Sequence, residues 1–287
     1  MRYDFIRQEK KAYPVTILCQ VMEVSRSGFY HYCNSLKKSD PEEMLLINRI
    51  KAIFKEHRSQ YGSRRIQRQL VNEGHQVGRY KVRRIMRELG LKAKAPKRYK
   101  VTTDSRHTFP VAPNLLDREF EVDRPNKVWT TDITYIWTLE GWLYLAVVLD
   151  LFSRQVVGWA IDKRMKKQLT LDALSMAYWR RKPLPGLLHH SDRGSQYACH
   201  DYRKLLIQYD MVASMSRKGN CWDNAPTERF FRSLKSERLS HCRFVTRWSA
   251  EMEVLDYITY YNSMRLHSTL GYQTPFAYEK EQCRVAA

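Results

Sequence analysis

Three carboxylates in this chain stand where they could do chemistry. Asp132 interrupts the β-rich run WTTDITYI (129–136), and an anion inside an apolar strand needs a compensating partner. Asp192 ends the apolar run 184–188 and its continuation HHSDRGSQY (189–197). Glu228 opens the helical segment in NAPTERFFRSLKSE (224–237), with 35 residues (193–227) between it and Asp192. If the strands carrying Asp132 and Asp192 are neighbours, both carboxylates reach one sheet edge. Anions held that close raise each other's pKa, unless divalent cations sit between them. Hard Mg²⁺ suits such a set, because it takes carboxylate oxygens and keeps water and phosphate oxygens as its other ligands. Lys235 lies seven residues after Glu228, two turns on and on the same helix face, where it could hold a phosphate.

Each acid also has an ordinary reading. Asp132 could pair with an arginine. Asp192 before Arg193-Gly194 could shape a turn. Glu228 in a first turn is favoured by the helix dipole alone. Two acids compete. Asp150 closes the second strand and shapes the turn before Phe152-Ser153-Arg154. Glu237 is nine residues past Glu228, about 180° around the helix, and cannot share its face. His189 and His190 read as structural residues at a strand end.

The elements around these positions follow from periodicity. Residues 127–137, 142–152 and 154–161 read as strands of an antiparallel meander, the second nearly continuously apolar and so central. Leu169 to Arg181 is helical, Leu187 to Ser191 a strand, Tyr197 to Tyr209 a helix, Met211 to Met215 a strand, and Pro226 to Leu239 a helix after a loop at 219–225. The order β-β-β-α-β-α-β-α implies an α/β fold, a mixed sheet with helices on its faces. A long helix over 245–262 follows, placed either in the core or against DNA or a partner.

The front of the chain has a different character. The net charge is +20. Residues 1–110 hold 25 Lys and Arg against 10 Asp and Glu, a net of +15, which points to a polyanion and by default to nucleic acid. Residues 14–34 read as a helix-turn-helix, with Ser25 capping a second helix that begins at Arg26. Asp40-Pro41 opens a further helix. Segments 63–72 and 79–89 follow, joined by a turn at 73–78. The last buries Val82, Ile85, Met86 and Leu89 and presents Arg79, Lys81, Arg83, Arg84 and Arg87, a cationic face suited to a groove or to phosphates. KAKAPKRYK (92–100), with Lys97 and Arg98, reads as a linker that can track phosphates. No apolar run approaches the roughly 18 residues of a membrane span. Six scattered cysteines without a CxxC pair argue against a zinc or disulfide framework and fit a reducing cytoplasm.

Together, WTTDITYI, HHSDRGSQY, the 35-residue gap and NAPTERFFRSLKSE resemble the D-D-35-E insertion-element transposases, nearest the OrfB half of the IS-three family, relatives of retroviral integrases. VSRSGFY at the front and YNSMRLHSTLGYQTP (261–275) extend the resemblance over nearly the whole chain. It implies a ribonuclease H-like catalytic core, preceded by an all-α helix-turn-helix DNA-binding region and followed by a helical tail. The expected boundaries are 1–38 (helix-turn-helix segment), 39–95 (basic helical DNA-binding domain), 96–122 (basic linker), 123–242 (core) and 243–287 (helical extension). The resemblance also implies Asp132, Asp192 and Glu228 as catalytic residues and ligands of two Mg²⁺ ions, with Mn²⁺ able to substitute. Double-stranded DNA, element ends and target, is the substrate. A dimer or larger assembly is expected, with an OrfA partner or fusion. Two rivals share these features: a nuclease on the same fold that hydrolyses without joining, and a non-catalytic DNA-binding regulator.

Overall fold

A computed structural model describes residues 1–37, 41–94 and 109–285. Lys97 and Arg98 lie outside the described residues. The chain divides into two compact units, 1–92 and 93–287.

In the first unit, α1 (Arg2–Glu9), α2 (Val15–Val21) and α3 (Arg26–Lys37) bury Ile6, Leu18, Cys19 and Phe29 together. Ser25 does cap α3, its Oγ accepting from the Gly28 amide at 3.0 Å. The sequence reading missed α1, which is mostly polar and buries only Ile6. Its dock is specific: the Tyr32 hydroxyl donates to Asp4 at 2.6 Å, and a Cβ at Gly28 would collide with the Tyr3 hydroxyl. Next come α4 (Pro41–Glu56), α5 (Ser63–Asn72) and α6 (Arg79–Glu88). They bury Ile50, Ile53, Ile66, Leu70, Val82 and Ile85 at helical spacing. Gly74 supplies the left-handed φ of +91° that turns the chain between α5 and α6.

The second unit is built on one five-stranded sheet. Its strands are β1 (Val128–Thr138), β2 (Gly141–Asp150), β3 (Val156–Asp162), β4 (Leu188–Ser191) and β5 (Val212–Met215), in the order β3-β2-β1-β4-β5. β1, β2 and β3 are antiparallel neighbours; β4 runs parallel to β1, and β5 parallel to β4. α7 (Lys167–Arg181) crosses from β3 to β4, and α8 (Ser195–Ala198) and α9 (His200–Gln208) from β4 to β5. α10 (Ala225–Glu237), α11 (Arg247–Ser263) and α12 (Pro275–Val285) complete the unit.

β2 reads as an unbroken apolar run because both its faces are buried. Leu145, Val147 and Leu149 pack with Phe230, Leu234 and Tyr257 of α10 and α11. Ala146 and Val148 pack with Leu174 and Ala177 of α7 and Tyr202 and Leu206 of α9. On β3, a Cβ at Gly158 would strike the backbone of α7, so the helix lies directly on the strand.

Two expected boundaries shift. The described end of the 96–122 linker belongs to the core: Leu116 is buried, and the Leu115 amide donates to Ser214 Oγ at 2.9 Å. The expected core end at 242 is also too early, because α11 buries Val254, Tyr257, Ile258 and Tyr261 in the same apolar layer as α10. A Tyr-rich stripe at helical spacing is core here, as that pattern usually is. Among the described residues no helix is long and apolar enough to cross a membrane.

Candidate active site

β1 and β4 are in parallel register through Thr130↔His190. Two residues further on, Asp132 lies inside β1 and Asp192 just past the end of β4, so the two acids come to the same end of the parallel pair. The Ile133 amide donates to Asp132 Oδ1 at 2.8 Å. Asp192 accepts from the Gly194 amide at 2.8 Å, so it shapes a turn and faces the site at once. Arg193 fixes that turn by donating from Nε to the Ser216 carbonyl at 2.6 Å.

Glu228 arrives from the other side of the gap, in the first turn of α10. Two buried side chains tie that turn to β1. Asn224 donates from Nδ2 to the Thr131 carbonyl at 3.0 Å, and Thr227 Oγ1 donates to Thr130 Oγ1 at 2.6 Å. The Asn224 Oδ1 is buried without a hydrogen-bond partner among the described residues. The loop before α10 is anchored by Asp223, which is 0% exposed. Asp223 takes a fork from Arg217 (Nε 3.0 Å, Nη2 2.8 Å), the Arg217 amide at 2.9 Å, Arg118 at 2.8 Å and Asn114 at 3.1 Å. The sequence reading left 219–225 as a plain loop and missed these positioning residues. The one available signal was an Asp-Asn pair at a helix start.

The electrostatics follow from this convergence. Burial holds the Asp132 carboxyl well above the usual range. Asp192 and then Glu228 add to the shift, while the Ile133 amide and Lys235 oppose it. Burial also raises Glu228. Lys235 is pushed down by burial, with the Asp132 charge opposing, and its Nζ sits 4.9 Å from the centre of the Tyr135 ring. All four side chains remain half-buried and therefore reachable.

The competing groups are structural. Asp150 is fully buried and accepts from the amides of Asn126 (2.8 Å) and Phe152 (2.9 Å), shaping the turn as expected. Glu237 is engaged by Arg265 at 2.7 Å and by the Tyr257 hydroxyl at 2.8 Å. His189 bonds the Tyr202 hydroxyl, and His190 lies between Ser214 and Ser216. Burial pushes the two imidazoles down to about 3 and about 4, so both stay neutral.

In the helical unit, Arg79, Arg83 and Arg87 are exposed on α6, and Lys81 is half-buried. Arg26 is exposed at the start of α3. Arg84 differs from its neighbours: its guanidinium is held by Glu43 at 2.6 Å.

The chain matches known proteins over nearly its whole length. An integrase core domain model matches residues 122–221 and again 209–275, and an HTH-like domain model matches 41–99. These define the class: a chain with an integrase-type core and an HTH-like helical domain. The chain is 45% identical over 274 residues to an uncharacterized 31 kDa protein of insertion element IS600 from Shigella sonnei, covering 94% of this chain and all of that one. It is 38% identical over 285 residues to the transposase InsF for insertion sequence IS3A of Escherichia coli K12, covering 98% and 99%. The HTLV-2 integrase catalytic core domain in complex with magnesium aligns with a TM-score of 0.44 and 18% identity, covering 54% of this chain and 97% of that one. The chain belongs to the family of InsF transposases of IS3 insertion sequences, DDE-type polynucleotidyl transferases.

Proposed function

We propose that Asp132, Asp192 and Glu228 form one catalytic centre that cuts the 3′ end of an element's terminal repeat and joins it to a new phosphodiester. The observation that supports this most is the parallel register of β1 and β4, with the first turn of α10 pinned to β1 by Asn224 and Thr227. Register brings two acids to one end of the pair; the pins bring the third.

The donor set fits Mg²⁺, or Mn²⁺ in its place: hard carboxylate oxygens, half-exposed, one of them pushed well above its usual range by burial and by its acidic neighbours. Among the described residues no three His, Cys, Asp or Glu side chains close into a metal cage. A bound pair of ions would lower the pKa of water and neutralise charge on the departing 3′ oxygen. The protein's own share is positioning and charge placement. The three carboxylates hold their oxygens toward one reacting phosphate, and Lys235 neutralises an adjacent one.

In the first step a water oxygen bonds to phosphorus and the 3′ oxygen leaves and takes up a proton. In the second, that 3′-hydroxyl gives up its proton and bonds to the phosphorus of a new phosphodiester, whose own 3′ oxygen leaves and takes up a proton. No covalent link to the protein forms. α6 reads or grips the duplex with Arg79, Lys81, Arg83 and Arg87, and Arg26 adds a phosphate contact. Two ends must be held together, so the working form is a dimer or larger, with an OrfA product as partner or fusion.

The test is an oligonucleotide assay with the element's own ends and Mg²⁺. Joined strands are expected. Nicked strands without joining would make the protein a nuclease, and binding without either would make it a regulator.

A further inference from the structure

Beyond Asp132, the outer half of β1 runs along a second feature. On its β4 side, β1 is paired only through Thr130. The next pairing on that side is the bridge Thr138↔Phe244, since the opposite side of Thr138 is taken by Gly141 of β2. Along the stretch between lies a cavity of about 470 Å³, inside the range of roughly 300–1,000 Å³ typical of ligand pockets. α10 forms its other wall.

The lining has a consistent chemistry. Tyr135, Trp137 and Phe244 supply aromatic surface, and Arg232, Lys235 and Arg243 supply three cations. Among the described residues, no Asp or Glu lines the cavity. Trp137 is 57% exposed, an unusual state for a tryptophan in a strand, and packs edge-on against Trp142 at 4.8 Å. Lys235 belongs to both features: it interacts with the Asp132 charge and stands over Tyr135. From Asp132 to Trp137 is about 16 Å along the strand. Asp132 and Trp137 fall on opposite faces of the strand, and Lys235, which reaches both the Asp132 charge and the Tyr135 ring, is the side chain that joins the acidic edge to the cationic-aromatic cavity.

We propose that this cavity holds an unpaired nucleotide of the DNA strand next to the cleavage point. A base face stacks on the aromatic wall, and its flanking phosphates meet Arg232, Lys235 and Arg243. A cationic rim around an aromatic interior complements a single strand, whose bases are exposed for stacking, better than a duplex, whose bases are hidden. The inference deepens the strand-transfer reading and rests on it.

The experiment measures binding without metal, so it does not depend on catalysis. Full-length protein is titrated into element-end duplexes whose last three nucleotides are either paired or unpaired, with 2-aminopurine at the unpaired positions. The expected result is tighter binding of the unpaired end by fivefold or more, with quenched 2-aminopurine fluorescence. Abasic sites at those positions should remove the preference. Trp137→Ala and Arg243→Ala should each lose most of it, while their far-ultraviolet circular dichroism matches wild type. Equal affinity for both ends, or quenching that persists in Trp137→Ala, overturns the inference. Displacement by an acidic aromatic peptide but not by single-stranded DNA would also overturn it, in favour of a protein partner. Joining activity on the same ends separates the two claims. Joining without the preference removes only the cavity's role, whereas failure to bind either end removes the strand-transfer reading as well.

Discussion

The two units of this protein both work through charged side chains, and they hold them in different ways. In the sheet unit, every residue near the candidate centre is supported from behind. Asp132 sits in a strand paired on both sides up to Thr130, Asp192 in a turn fixed by Arg193, and Glu228 on a helix pinned by Asn224, Thr227 and the buried Asp223. In the helical unit, the cations of α6 stand on an amphipathic surface whose support is the apolar stripe beneath them. Among the described residues, Arg84 is the α6 cation committed to an internal partner. The proposed function accounts for the difference. A reacting phosphate must be placed to within a fraction of an ångström, so its ligands need a rigid frame. Contacts to a DNA backbone act largely through solvated charge and tolerate movement.

This contrast can be broken at the pins. Asn224→Ala and Thr227→Val remove no charge and touch no acid. If the frame sets the geometry, each should lower strand transfer by roughly 10–100-fold, the range seen when groups behind metal ligands are lost. Half-saturation in Mg²⁺ should rise and end-binding affinity stay unchanged. A loss of stability alone, with normal turnover of the folded fraction, would mean that the pins only build the fold.

Asp223 tests the frame through stability. Asp223→Asn takes the buried counter-charge from Arg118 and leaves Arg217 with the exposed Asp117 at 3.2 Å; because both arginines are nearly half exposed, the expected loss is about 2 kcal/mol in urea unfolding. The Arg217 contacts hold the Asp223 carboxyl far below its ordinary range. Its stabilisation is therefore complete above the unfolded carboxylate pKa of about 4 and is lost only as pH falls below that. The difference between wild type and variant should be the same at pH 7 and pH 5, and should shrink in stronger acid.

The helical unit should show smaller, graded effects. Arg83→Ala should weaken DNA binding a few-fold, nearly independently of sequence, and reduce the slope of log affinity against log salt by about 1. Arg84→Ala should change that slope less, because Glu43 already engages its charge. Equal slopes for the two variants would remove the distinction.

Much of the site was legible because its signals are local. An aspartate inside WTTDITYI conflicts with its surroundings, and a conflict of that kind marks function. Helix and strand periods placed α5, α6, β1 and β2 to within a residue or two. The parts that were not legible depend on contacts distant in sequence. Asp223 meets Arg118 across 105 residues and Asn224 meets Thr131 across 93, and no spacing rule encodes either. α1 escaped because its dock is a hydroxyl pair and a glycine rather than an apolar stripe. The cavity escaped because its aromatic and cationic walls come from β1, α10 and the segment ending at Phe244, each unremarked alone.

The most direct test of the account is Mg²⁺-dependent joining of element ends by wild type beside Asp132→Asn, Asp192→Asn and Glu228→Gln, with end binding measured for each. The account predicts that every single variant keeps binding and loses joining by roughly 10³-fold or more, the scale of losing an electrostatic group at a reacting centre. Pairs of substitutions should be no worse than singles, because the carboxylates act as a unit. A variant that joins ends at close to the wild-type rate would contradict a single centre made of these three acids.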